Sequence, residues 1–184
     1  EILSGAQAGT QVFGQDPLWL AWATDLVNLR GAGDMAQYEF VLHNWTPARF
    51  KVGQMIGSSG ILMGMAFAMY RNVDPDKKAR YKSMYFSAAL AVFLTGVTEP
   101  LEFMFMFAAV PLYAIYSVIQ GVAFAMADIL PLRVHSFGNI ELLTRTPLAI
   151  KAGLGADLIN FVLCVIVFGV VTYFLANFLI KKFN

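Results

Sequence analysis

The sequence is poor in charged residues. Only 14% of its 184 residues are charged and 58% are hydrophobic, whereas an ordinary soluble domain has about 25% charged residues. Too few polar side chains remain to cover the surface of a soluble domain of this size, so the composition indicates an integral membrane protein. The formal net charge of +1 offers no basic surface for nucleic acid.

Cysteine and histidine are also scarce. The single cysteine, Cys164, lies in an apolar run and excludes both a disulfide framework and a cysteine-based metal site. The two histidines, His43 and His135, have no partners at metal-ligand spacing. No glycine-rich phosphate loop and no Ser/His/Asp order is recognisable. We therefore expect no metal, no cofactor and no catalytic residue on this chain.

Long apolar runs predict an all-α protein with about three membrane-spanning helices. The run 158–180 has 23 residues without a charge, enough to cross a hydrocarbon core of about 30 Å. The run 52–70 is also uncharged, and 103–130 predicts a spanning helix bent at Pro111. Residues 1–50 are less apolar and predict amphipathic and loop segments, with Trp19 and Trp22 as interface anchors.

The loop charges constrain the topology. The stretch 71–82 holds five basic residues, and Lys181 and Lys182 follow the last apolar run, so the positive-inside rule places both regions in the cytoplasm. Residues 83–157 must then cross the membrane an odd number of times. The simplest solution is a re-entrant helical hairpin near 83–102. A second hairpin within 131–157 is an alternative.

The run 52–70 contains two small-xxx-small pairs. Such pairs favour close approach of another helix, and their members are the glycines at 53, 57, 60 and 64. An alternative is an unwound segment at 57–60 that lines a substrate site, with Ser58 as a contact.

The triplet Thr98-Glu99-Pro100 interrupts an apolar run. Proline is favoured at the first helical position, so we expect a helix to begin at Pro100 with Glu99 at its cap and Glu102 in its first turn. A carboxylate within the membrane is costly and indicates a functional site. Carboxylate, hydroxyl and open N–H groups suit sugar hydroxyls, a proton or a cation equally well. The alternative is a buried cap paired with Arg133 or Arg145.

Other candidate contacts surround these residues. Gly96 and Val97 belong to the expected turn. His43, in the stretch 42–50, is a possible sugar contact or part of an interfacial loop. His135 lies in the polar stretch 132–147, whose charges alternatively form internal salt bridges.

The stretch 87–107, SAALAVFLTGVTEPLEFMFMF, resembles the signature region of the enzyme IIC permease of the bacterial phosphoenolpyruvate-dependent sugar phosphotransferase system, in its glucose superfamily. The similarity extends over about residues 40–180. Stretches such as LRVHSFGNIELLTRTP, 132–147, are most similar to the maltose-type branch.

The resemblance implies a homodimeric permease of the bacterial inner (cytoplasmic) membrane, in which a transport domain carries a maltose- or glucose-type sugar inward by an elevator-like motion. It implies that Glu99 contacts sugar hydroxyls, with Thr98 beside it. Phosphate comes from a phosphocysteine on the partner IIB, which receives it from IIA. The chain is thus expected to be a phosphotransferase component only as the permease.

The resemblance also implies that residues 1–184 are the carboxy-terminal half of the permease, with the transport domain in 51–184 and the dimer interface in a missing amino-terminal half. Cys164 is in an apolar run and is not the phosphocysteine, and His43 does not match the sugar-contacting histidine of the family. Two other functions stay open. They are an ion-coupled secondary sugar transporter, in which Glu99 or Glu102 carries a proton, and a non-transporting membrane sensor or subunit.

Overall fold

A computed structural model describes residues 1–183, and this part of the chain is α-helical without strands. The nine α-helices of these 183 residues are α1 (Gln15–Ala32), α2 (Met35–Asn44), α3 (Lys51–Ile56), α4 (Leu62–Arg71), α5 (Lys78–Thr95), α6 (Glu99–Ala108), α7 (Val110–Ile129), α8 (Asn139–Lys151) and α9 (Gly155–Phe183). A π-helical turn, Gly57–Ile61, joins α3 to α4.

In the part of the chain that the structure describes, three helices are long and apolar enough to cross a membrane. They are Lys51–Arg71, which combines α3, the π-helical turn and α4, together with α7 and α9. These helices agree with the predicted integral membrane class. The predicted bend at Pro111 is wrong, because the helix breaks earlier, at Ala109, whose φ of −149° is not helical. Pro111 instead lies in the first turn of α7, where its missing N–H costs nothing.

Glycines set the directions of the three long helices. A Cβ at Gly53 would touch Phe124 and one at Gly57 would overlap Gln120, so α3 and α7 run antiparallel. The other pair faces a different neighbour, because Gly60 lies against Val165 and Gly64 against Gly169. Residue numbers increase in the same direction along both helices at these two contacts, so α4 and α9 are parallel. The predicted close helix approach is confirmed at all four glycines.

The basic ends of the protein lie together. The Arg71 guanidinium donates to the Tyr173 hydroxyl, and the Asn72 amide donates to Asn177 Oδ1 at 2.8 Å. Because α9 continues from there to Lys181 and Lys182, both basic segments lie at one end of the molecule, here called the basic end. This agrees with placing both segments on the same side of the membrane.

Helices α5 and α6 form a hairpin that starts and finishes at the basic end. Near its start the rings of Tyr70 and Tyr85 are 5.9 Å apart. The chain turns at residues 96–98, here called the hairpin tip, and α6 returns to meet the start of α7. The expected hairpin near 83–102 corresponds to this longer unit, in which residues 103–108 belong to α6 rather than to the spanning helix.

A second return follows α7. Residues 130–138 form an irregular segment that leads back to the hairpin tip, where Gly138 lies against Thr95 and Gly96. Helix α8 then leads away to α1 and α2, since the Tyr38 hydroxyl donates to the Ala152 carbonyl at 2.7 Å. The α5–α6 hairpin therefore reaches the tip from the basic end, and the irregular segment reaches it from the opposite end.

Helices α1 and α2 form a second hydrophobic cluster with α8. Trp19 and Trp22 are 1% and 3% exposed and belong to this cluster. The Trp19 indole donates to the Arg133 carbonyl at 3.0 Å. The expectation that the two tryptophans are interface anchors is therefore wrong, because they pack against protein.

Candidate functional site

Three interruptions of helical structure meet in one place. They are the π-helical turn Gly57–Ile61, the hairpin tip and the end of the irregular segment. Asn139 joins them, because its amide nitrogen donates to Ser59 Oγ and to the Phe93 carbonyl, each at 2.8 Å. Interrupted helices expose backbone groups that a polar ligand can use, so this junction is the candidate site.

The hairpin tip depends on glycine. Gly96 has a φ of +76°, a left-handed conformation that closes α5, and a Cβ there would overlap the Phe137 carbonyl. Gly138 is equally restricted, because a Cβ there would overlap the Thr95 backbone. The two segments therefore touch backbone to backbone, which only glycine permits at both positions.

Helix α6 begins one residue earlier than predicted. Thr98 is the cap residue and Glu99 the first helical residue, with Pro100 following. The Thr98 side chain makes no capping hydrogen bond, although the residue is only 9% exposed. The Glu99 side chain is exposed at the tip. The open N–H groups expected there are largely absent, because Pro100 has none and those of Leu101 and Glu102 donate to the Thr98 carbonyl. Val97, directly before Thr98, is exposed, and its N–H donates to Thr95 Oγ1 at 3.2 Å.

The two carboxylates of α6 have different surroundings. Glu102 is half-buried and accepts a hydrogen bond of 2.5 Å from the Tyr116 hydroxyl. The basic partners considered from the sequence are engaged elsewhere. Arg133 pairs with Asp157 at 2.8 Å, and Arg145 pairs with acidic side chains on α1 and α8. The alternative of a helix cap buried against either arginine is wrong, and Glu102 connects α6 to α7.

The π-helical turn is buried throughout. Ser58 donates to the Met55 carbonyl at 3.2 Å within its own helix, whereas Ser59 faces Asn139. Gln120 of α7 donates to the Gly53 carbonyl at 2.7 Å, next to the turn. Ser59 and Asn139 are the site residues that the sequence did not distinguish, since neither stands in a pattern that separates it from its neighbours.

His135 is buried in a charged environment beside the candidate site. It is 1% exposed, and its Nε2 lies 3.3 Å from Asp16 Oδ1. Arg145 donates to the His135 carbonyl at 3.0 Å and pairs with Asp16 at 2.7 Å. Burial lowers the pKa of His135. The stretch 132–147 thus forms the internal ion pairs that the sequence suggested, and His135 faces α1.

His43 lies away from the hairpin tip. It is exposed and pairs with Glu39 at 2.9 Å, beside a groove of about 380 Å³ that is lined by residues 42–49 and 127–133. Arg49 and Asp128 form an ion pair in that groove. Within residues 1–183, no group of three acidic, histidine or cysteine side chains is placed to hold a metal ion.

The family model described as "Phosphotransferase system, EIIC" matches residues 7–121. The chain belongs to this family. It is 65% identical over all 184 residues to the PTS system glucose-specific EIICBA component of Streptococcus pneumoniae serotype 4 (strain ATCC BAA-334 / TIGR4). The chain spans about a quarter of the length of that relative, 25%.

Membership of the EIIC family confirms the resemblance drawn from the TEPLEF stretch. Together with the three apolar helices, it identifies a multi-pass membrane protein, located in the inner membrane of bacteria. The match at residues 7–121 includes the π-helical turn and the hairpin tip, whereas Asn139 follows it.

Proposed function

We propose that the chain forms the sugar-binding part of a phosphotransferase-system permease, and that the Glu99 carboxylate and the Thr98 hydroxyl hold sugar hydroxyls at the hairpin tip. One observation carries the proposal. Glu99 is an exposed carboxylate on the first turn of α6, where three interruptions of helical structure meet, in a chain of the EIIC family.

The chemistry of the tip suits a neutral polyol. A carboxylate accepts hydrogen bonds from two neighbouring hydroxyls, and such charge-assisted bonds are stronger than neutral ones. Thr98 contributes a hydroxyl that caps nothing. Gly96 and Val97 shape the turn that carries these groups. Glu102 is held by Tyr116 and supports α6 rather than the ligand.

The proposed substrate is glucose or a glucoside. The pneumococcal relative is a glucose-specific component, and identity of 65% over the whole chain favours glucose. Maltose, favoured by the similarity of 132–147 to the maltose-type branch, is the comparison ligand.

The proposed partners follow from the phosphotransferase system. IIB supplies the phosphoryl group from its phosphocysteine, and IIA supplies IIB. The sugar reaches IIB from the basic end, which the positive-inside rule places in the cytoplasm. Movement of the transport domain against a dimer interface outside this chain is the proposed route. In this proposal the chain binds the sugar, which accepts the phosphoryl group, and the phosphoryl donor lies on IIB.

The test is Glu99→Gln in the full-length protein. Hydrogen bonds to a charged group contribute about 1.5–3 kcal/mol each, so we expect glucose affinity to fall roughly 10- to 100-fold, measured by isothermal titration in detergent. Glu39→Gln is the matched control, because Glu39 is an exposed carboxylate on α2 that pairs with His43. Wild-type affinity in Glu99→Gln would remove Glu99 from the site.

Whether the transported sugar enters the cell phosphorylated or unmodified distinguishes the proposed permease from the alternative functions. Phosphoenolpyruvate-dependent uptake that delivers sugar phosphate supports the permease. Uptake of unmodified sugar driven by a pH gradient would show an ion-coupled transporter instead. Sugar binding without uptake would indicate a sensor or subunit.

A further inference from the structure

Asn139 is the polar residue that connects the three interruptions of the candidate site. It is the first residue of α8, directly after Gly138 at the backbone contact with the hairpin tip. Its bonds reach Ser59, 80 positions away in the π-helical turn, and Phe93, 46 positions away in the last turn of α5. Local chain connectivity therefore cannot hold these groups together.

The orientation of the Asn139 amide is fixed by chemistry. The Phe93 carbonyl can only accept a hydrogen bond, so the amide nitrogen and not the amide oxygen must face it. Both hydrogens of that nitrogen are then used, one by Phe93 and one by Ser59. A flipped amide would place its oxygen against the Phe93 carbonyl oxygen and lose that bond, whereas the Ser59 hydroxyl could donate to it instead.

The contact between Gly96 and Phe137–Gly138 cannot by itself fix the tip. It is a close van der Waals approach of backbone atoms, and such contacts have little directional preference. Hydrogen bonds weaken steeply as their angle departs from linear. The Phe93 bond of Asn139 therefore orients the end of α5 relative to α8, and the Ser59 bond connects α8 to the π-helical turn.

We propose that Asn139 is a positioning residue of the sugar site, which holds the hairpin tip in the arrangement that lets Glu99 and Thr98 meet one ligand. This inference rests on the proposed function, since it assigns the sugar contacts to Glu99 and Thr98. Asn139 acts on the ligand through the orientation of the tip.

Sugar affinity provides the first test, in the full-length protein. We expect Asn139→Ala to weaken glucose binding roughly tenfold, because a misplaced tip loses about one good hydrogen bond to the ligand. Ser59→Ala leaves the Phe93 bond in place and should weaken binding only about threefold. The double variant should bind no more weakly than Asn139→Ala, since Ser59 acts through Asn139.

The matched control is Asn160→Ala. Asn160 also donates its amide to the backbone carbonyl of a distant segment, Pro131, at 3.2 Å. That contact lies at the start of α9, away from the hairpin tip. Glucose affinity within twofold of wild type is expected for this variant.

A distance measurement separates positioning from a general loss of stability. Spin labels attached through a ketone-bearing amino acid at Val97 and Ile140, both exposed, report the separation of the tip and α8 without sugar. We expect a single narrow distance distribution in wild type and in Asn160→Ala, and a broadened one in Asn139→Ala.

The outcomes are distinguishable. An unchanged distance distribution in Asn139→Ala, or equal loss of affinity in Asn160→Ala, would overturn the positioning role. Absence of sugar binding by the wild-type protein, with the distribution still broadened in Asn139→Ala, would overturn the proposed function and leave the connection of the segments established.

Discussion

At the residue scale, Glu99 and Glu102 show that one neighbouring side chain can determine the role of a carboxylate. Residues three apart lie on the same side of a helix, so the sequence presented two similar carboxylates. Glu102 accepts a hydrogen bond from Tyr116, on the next helix, while Glu99 lies exposed at the turn. The cost of an intramembrane carboxylate could be recognised from the sequence, but the partner of Glu102 depends on the angle between α6 and α7.

His135 leads to a prediction about pH. Its folded-state pKa is lowered, chiefly by burial and against the attraction of Asp16, while Arg145 and Lys51 lower it further and Glu141 raises it. A lowered pKa disfavours the protonated form in the folded state. The full stability is therefore present above the ordinary histidine pKa of about 6.5 and is lost as pH falls below it.

The measurement is the thermal unfolding midpoint of the full-length protein in detergent between pH 7.5 and pH 5. We expect the midpoint to fall with pH in wild type, and the slope to decrease in His135→Gln. His43→Gln is the control for loss of a histidine outside the buried cluster around His135, because His43 is exposed on α2. Identical slopes in wild type and His135→Gln would contradict the assignment.

Helix ends were the least predictable part of the elements. The apolar run from 103 onward predicts one helix, and proline was the obvious place for a bend. The structure breaks the run at Ala109 and places Pro111 in the first turn of α7. Proline is as compatible with a helix start as with a kink, so the sequence alone could not decide between a bent helix and two helices.

At the scale of the elements, we expect the α5–α6 hairpin to depend on glycine at its tip. Gly96→Ala should destabilise the protein, because a left-handed conformation costs a non-glycine residue about 1–2 kcal/mol and the new Cβ would also overlap the Phe137 carbonyl. Glucose affinity should fall with it. Thermal unfolding and titration of the full-length protein measure both effects.

Gly121→Ala is the matched control for that prediction. Gly121 lies within α7, and a Cβ there would meet no atom within 4 Å. Alanine is the better helix former, so an unchanged or slightly higher unfolding midpoint is expected. Equal effects of the two substitutions would show that the tip has room for a side chain.

At the scale of the whole molecule, hydropathy and charge predicted the spans and the shared side of the two basic segments. Both signals are local in the sequence. The packing of α1 was missed, because Trp19 reaches Arg133, 114 positions later, and no local pattern encodes such a contact. An amphipathic tryptophan is typical of a membrane interface and of a protein core alike.

Membrane sidedness can be measured by cysteine labelling. Asn44 is exposed at the end of the molecule opposite the basic end, and Asp76 is exposed in the basic loop. We expect a membrane-impermeant maleimide to label Asn44→Cys in intact cells. Asp76→Cys should react only after permeabilisation. Labelling of Asp76→Cys from outside would invert the topology and place the opening for IIB at the wrong end.

In the helix that contains the π-helical turn, the spacing of the glycines matters more than the identity of the residues between them. Gly53 and Gly57 serve one neighbouring helix, and Gly60 and Gly64 serve another. Each residue added to or removed from a regular helix rotates everything after it by about 100°. A one-residue deletion at Leu62 or Met63, where the helix is regular, would therefore turn Gly64 away from α9 and present a larger side chain to a surface with no space for it. Insertions and deletions should be excluded here even where substitutions are tolerated.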